Sequence, residues 1–404
     1  MEWDGDDEEE DDPWFRPVWA DADDETSADL PAGPRSVSPP APPRPSHRPT
    51  GTVPFLNDAA RLLAPLAQAA DALARLDAAA AGATPAIRTG LIARLALREA
   101  AGWLARQGAW VHPADLALRA LGLSGHYEIA AMTGSLERAM PHTATAPGAW
   151  QVDADVSPWV LLSHEEAVTR ALALARLLPA LPHHHDPLAD AATAARFLAP
   201  LGVRDLDPDR FAAWRRGFVV RTVQDRHRPE IPALLRAGLA AASWMESGIV
   251  DEPDALAALA IAALLLARWG TLRVMPLPFW TAWPMRGGTD AGGLPRRRGT
   301  DGDWMAHYLG LAADSARAGL QDLERLQAAA IQAAPLLADE DPRSALPKAW
   351  EGLLAAPALT PAALAGQLDL TLQATNRLLH RLLSAGLVRE ITGRKSFRAF
   401  AVAV

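Results

Sequence analysis

The chain has no cysteine among its 404 residues. That absence excludes disulfide frameworks, thiolate zinc sites and cysteine nucleophiles together, and it leaves the redox compartment open. A long apolar run is missing as well. The longest strongly apolar stretch without a charge, Ala255 to Ala267, is 13 residues, against roughly 20 needed to span a bilayer. It reads as a buried core helix, and no membrane partner is expected. The N-terminus, "MEWDGDDEEEDD", lacks the basic segment and apolar segment of a secretory signal, so a cytoplasmic location is expected. No P-loop, Rossmann fingerprint, GxSxG or HExxH string occurs. The residues therefore nominate no catalytic group, no metal ligand and no cofactor.

What is present is 50% hydrophobic and long enough for two or three domains. The net charge of −9 is unevenly spread. Residues 1–30 hold fourteen acids and one arginine, a balance of −13, which leaves +4 for the rest. Residues 356–404 carry six cations, Arg377, Arg381, Arg389, Arg394, Lys395 and Arg398, against Asp369 and Glu390, again +4. Ends of opposite sign suggest an acidic tail and a module for a polyanion; an acidic solubility tail beside an ordinary basic surface is the plain alternative.

Residues 31–54 contain nine prolines. Together with the acidic run, residues 1–54 read as a disordered arm that cannot collect enough apolar surface to fold. Its "PWFRPVW" reads as local clustering ahead of a short docking motif. From Phe55 the pattern turns helical, with Leu62, Leu66, Leu73 and Leu76 at helix spacing before Gly82. Further helices are expected over "TPAIRTGLIARLALREAAGWLARQGAW", "HPADLALRALGL", "SHEEAVTRALALARLLPAL", "DPDRFAAWRRGFVVRTVQDR", "PEIPALLRAGLAAASWMESG" and "DEPDALAALAIAALLLARWG". A Gly- and Pro-rich loop follows over 284–303, then a long helix from Trp304. "PHHHDP", with His183, His184, His185 and Asp186, reads as a solvated linker, because three consecutive side chains do not converge on one ion from regular structure. Arg296 to Arg298 read as part of the loop.

The last stretch is the most informative. "ALTPAALAGQLDLTLQATNRLLHRLLSAG" reads as helix, tight turn, helix, with Thr360-Pro361 as N-cap and first position, Thr371 capping the second helix and Gly386 at its left-handed C-cap. At 100° per residue, Gln373, Asn376, Arg377, His380 and Ser384 share one stripe and Ala374, Leu378, Leu379, Leu382 and Leu383 lie opposite. "LVREI" and "SFRAFAV" then read as two strands around Thr392-Gly393-Arg394-Lys395, a turn with a basic tip. Two helices and such a hairpin make a winged helix-turn-helix, in which the second helix enters the major groove and the wing grips phosphate.

"LAGQLDLTLQATNRLLHRLLSAGLVREITGRKSFRAFA" resembles the winged-helix tail of many Fic-type proteins, where a "reITGrkrnR" wing is typical. The arrangement also resembles bacterial proteins with an unknown-function helical region ahead of a helix-turn-helix. Upstream, "ALAALAIAALLLARWGTLRVMPLPFW" and "GTDGDWMAHYLGLAADSARAGL" resemble helices of the Fic fold, so the likeness spans about residues 70–404 and is specific in about the last 45. The His-Pro-Phe…Gly-Asn-Gly-Arg loop of Fic nucleotide transfer is missing. His112-Pro113 is followed by Ala114-Asp115, and the corresponding region reads "AAASWMESGIVDEPDA". No catalytic residue carries over.

The expectation is thus a mainly α protein: an arm over 1–54, a Fic-like multi-helix core over 55–341 that can dimerise or sense a ligand, and a winged helix-turn-helix over 342–404 with a two-stranded wing. Its function would be DNA-binding transcriptional regulation, with double-stranded DNA as partner. Gln373, Asn376, Arg377 and His380 would face bases; Thr371, Arg394, Lys395 and Arg398 would contact phosphate. The alternatives are a divergent Fic-type nucleotidyltransferase and an adaptor that docks a protein on its winged helix.

Overall fold

The computed structural model describes residues 59–106, 111–123, 164–181, 186–219, 231–251, 255–269, 278–282, 301–341, 343–392 and 398–403. All belong to one unit, Val53–Val404. Among them lie twelve α-helices: α1 (Ala59–Gly82), α2 (Pro85–Arg106), α3 (Pro113–Ala120), α4 (His164–Ala180), α5 (Ala191–Leu198), α6 (Pro208–Trp214), α7 (Ala233–Glu246), α8 (Ala255–Arg268), α9 (Asp301–Ala338), α10 (Leu346–Ala355), α11 (Pro361–Leu368) and α12 (Leu372–Ser384). A 3-10 turn (Ala199–Leu201), a π-helical segment (Arg215–Val219) and two strands, β1 (Val388–Glu390) and β2 (Phe400–Val402), complete the described elements. The protein is mainly helical, and no described helix is long and apolar enough to cross a membrane.

Polar side chains cap several of the helix starts. Asp190 accepts from the Thr193 amide at 2.8 Å, Asp207 from those of Asp209 and Arg210 at 3.0 Å, and His112 Nδ1 from that of Ala114 at 3.1 Å. Each fills a donor that a helix N-terminus leaves unpaired. At the corner between α1 and α2, Arg88 donates to the carbonyl oxygens of Ala80, Ala81 and Ala83, which closes the end of α1. Helix α5, capped by Asp190, was not anticipated by the apolar pattern. Helix α9 starts at Asp301, ahead of the expected Trp304, and residues 283–300 of the Gly-rich loop lie outside the described residues.

Four helix pairings build the core. Helix α1 packs along α9, α7 along α8, and α2 against both α4 and α10. Helix α8 is buried without a break from Leu256 to Leu266, as its uninterrupted apolar run requires. Where α1, α2 and α9 meet, Gly319 lies against Leu76 and Leu95, and a Cβ there would come within 3.1 Å of the Leu76 side chain. Phe279, Trp280 and Ala282, in the turn over 278–282, are buried beside Tyr308, whose ring stacks on Phe279 at 5.2 Å.

The C-terminal segment is fastened to this core by α10. Gly90 of α2 sits so close to the end of α10 that a Cβ would stand 1.8 Å from the Leu354 oxygen. Strands β1 and β2 are antiparallel, with Val388 opposite Val402, Arg389 opposite Ala401 and Glu390 opposite Phe400, and Arg398 lies just ahead of β2. On its other side β2 meets Leu359, and Leu359 and Phe400 exchange amide-to-carbonyl bonds of 2.9 Å in both directions.

Candidate nucleic-acid interface

The helix-turn-helix forms from local signals. Thr360 Oγ1 accepts from the Ala363 amide at 3.1 Å and starts α11. Asp369, at φ 52°, takes the left-handed conformation that ends it, one that aspartate tolerates better than most side chains. Thr371 Oγ1 then accepts from the Ala374 amide at 3.2 Å, while the Thr375 hydroxyl donates to the Thr371 carbonyl at 3.1 Å. Gly386, at φ 71°, closes α12, and the Leu387 amide donates back to the Leu382 carbonyl at 3.0 Å.

Helix α12 has two distinct sides. Thr375, Leu379 and Leu382 are buried, and Ala374, Leu378 and Leu383 are half-buried beside them. Gln373, Arg377, His380 and Ser384 are exposed on the opposite side. Asn376 is half-buried and flanks this stripe. Thr371, also exposed, uses its oxygen as a cap acceptor, which leaves its hydroxyl hydrogen to donate outward. Four of the eight nominated residues, Gln373, Asn376, Arg377 and His380, thus lie on or beside one helical face, and Thr371 caps the start of that helix.

The hairpin is less uniform. Arg394 and Lys395 lie outside the described residues. Arg398 turns back on its own strands: its Nε donates to Glu390 at 2.8 Å and its guanidinium lies 5.0 Å from the centre of the Phe400 ring. Glu390 also accepts from the Thr392 hydroxyl at 3.2 Å, and Thr392 Oγ1 accepts from the Ala399 amide at 3.2 Å. This network ties both strands together just below the turn.

Two further cations of this segment, Arg381 and Arg389, have surroundings that no pattern in the sequence showed. Arg381 grips Glu340, just beyond the end of α9, and Glu340 also accepts from the Ser344 hydroxyl at 2.7 Å. The Arg381 bond, then the Ser344 bond, hold the Glu340 carboxyl below its ordinary range, and the same contact raises Arg381. Arg389 stands near His112: burial first, then the charges of Arg389 and Arg98, push the His112 imidazole down. Leu372, the first residue of α12, is 53% exposed, a feature the sequence stripe did not single out.

Among the described residues no group of His, Asp or Glu is arranged to hold a metal ion. His183, His184, His185 and Arg296 to Arg298 lie outside the described residues, whereas Asp186 accepts from Arg268 at 2.7 Å and from Arg215 at 3.3 Å. Comparison with protein-family models and with curated proteins gave no match for this chain.

Proposed function

We propose that residues 342–404 form a winged helix-turn-helix that binds double-stranded DNA with α12 in the major groove, and that the chain is a transcriptional regulator. The observation that carries this reading is the outward face of α12: Gln373, Arg377 and His380 are exposed directly opposite the buried Thr375, Leu379 and Leu382. An arginine at such a position suits guanine O6 and N7, and glutamine or asparagine suits adenine. Thr371 at the helix start and Arg394 and Lys395 on the wing supply the phosphate contacts that set register without reading sequence, while Arg398 is engaged by Glu390. The core over 55–341, Fic-related in this reading, carries the domain on α2 and has the role of dimerising or sensing a ligand.

Binding of the full chain to short duplexes, followed by fluorescence anisotropy across a salt series, tests the proposal. Arg394→Ala with Lys395→Ala should weaken binding to every sequence and flatten the salt dependence, by a slope of about 0.9 per lost phosphate contact. Asn376→Ala or Arg377→Ala should instead relax sequence preference. Unchanged affinity in both sets would show that this face does not meet DNA.

A further inference from the structure

We propose that Leu372 reads the 5-methyl group of a thymine, so that the DNA bound by this chain carries an A·T pair at the start of α12. The inference rests on the DNA-binding reading of α12 and deepens it by naming what the helix start recognises.

Among the described residues, four large apolar side chains are exposed: Leu63, Ile231, Ile331 and Leu372. Leu372 alone belongs to the helix-turn-helix, and it occupies the first position of α12. Its place is fixed. The Thr371 cap and the Thr375 hydroxyl bond lock the first turn, and Thr375 itself is fully buried. Leu372 lies seven residues before the buried Leu379 and four before the half-buried Asn376, on the flank between the packed side and the polar stripe. There the leucine is left more than half exposed.

The occupant follows from charge and from chemistry. Residues 356–404 carry six cations against two acids, which suits a polyanion. On the major-groove edge of the four base-pair arrangements, the apolar feature is the thymine methyl; the rest are hydrogen-bond donors and acceptors. A leucine beside Gln373 therefore matches an A·T step, with Gln373 on adenine and Leu372 on the thymine methyl. Arg377 lies one turn further along the same helix, so a guanine close to that A·T pair is the corresponding expectation.

The experiment selects duplexes with a randomised centre using the full chain, then replaces each thymine of the enriched duplex by deoxyuridine, which deletes the methyl alone. At one position in each site the wild type should weaken about fourfold, the worth of one buried methyl group, while Leu372→Ala responds less than about twofold there. Leu372→Met, which keeps an apolar tip, should retain the effect, and unchanged melting of both variants confirms that they fold. An enriched duplex on which wild type and Leu372→Ala respond alike at every thymine overturns the assignment of Leu372 and leaves the DNA-binding reading standing. Failure to enrich or bind any duplex at low salt overturns that reading, and this inference with it.

Discussion

Arg94 of α2 caps the C-terminus of α10, donating to the Leu354 carbonyl at 2.8 Å. The same guanidinium reaches Ala356 at 2.8 Å, Leu353 at 3.4 Å and, within its own helix, Gly90 at 3.0 Å. Helix ends leave carbonyls unpaired, and a buried one is costly unless something donates to it. Burial lowers the Arg94 guanidinium to about 10, with Asp322 opposing that shift, so it remains charged at neutral pH. Arg94→Ala should cost about 3 kcal/mol of stability, the range seen when a buried charge-assisted network loses its donor. Gly90→Ala should be as damaging, because its Cβ would meet the Leu354 backbone rather than a movable side chain. Denaturant unfolding of both variants checks the pair. If both match wild type, α10 is not held by this contact.

Glu99 is the core's pH-sensitive group. Its carboxylate accepts from the Phe279 amide at 2.7 Å and the Thr281 amide at 2.9 Å, inside the protein. Burial raises it to about 7, against the lowering effect of those same backbone and hydroxyl donors. An acid raised in the folded state favours folding where it is protonated in both states. Its contribution is therefore complete below about pH 4.5, the unfolded value, and is lost as pH rises through about 7. The term amounts to about 3 kcal/mol across that window. Glu99→Gln should lower stability at acid pH, since an amide cannot accept on both sides, and should flatten the dependence between about pH 4.5 and 7. A variant that keeps the wild-type slope would assign the dependence to another group.

Much of the helix-turn-helix could be read in the sequence, because its signals are local. Thr360 with Pro361, Thr371 and Gly386 each act on residues within a few positions, and each occupies the cap expected of it. The turn itself was less legible: the left-handed residue is Asp369, where sequence reasoning looks first for glycine. Arg398 was assigned to phosphate from its place near a basic tip, and its side chain reaches across to Glu390 on the facing strand. Partners far apart in the chain left no trace at all. Arg94 and Leu354 are 260 residues apart, and Glu99 and Phe279 180. On a helical pattern alone, a glutamate on α2 is one more polar residue. Only packing makes it the acceptor for a turn on the other side of the core.

Tyr308 lies at 0% exposure with a hydroxyl that finds no hydrogen-bond partner among the described residues, and burial pushes its phenol far up. The ring, stacked on Phe279 and tilted against Trp304 at 5.7 Å, accounts for its packing. An unpaired buried hydroxyl costs about 1–3 kcal/mol. Tyr308→Phe keeps the ring and deletes that cost, so it should melt at or above the wild-type temperature. A clear loss of stability would mean that the hydroxyl has an acceptor, such as a bound water.

Arg381 has two claims on it. It lies on α12 next to the exposed stripe, and it is held by Glu340 from the segment that follows α9. While the pair persists, its charge is offset and its fork is occupied, so it adds little to any field that attracts phosphate. Replacing Glu340 by glutamine removes the competing charge and keeps the shape. On the DNA-binding reading, Glu340→Gln should release Arg381 to a phosphate, tighten binding at low salt and steepen the salt dependence by about 0.9 in slope. Adding Arg381→Ala to it should abolish that gain. The melting temperature should barely move, since an ion pair with an exposed partner contributes little to stability. If Glu340→Gln instead weakens binding at unchanged slope, the pair serves to aim α12, and the charge released is less important than the angle lost.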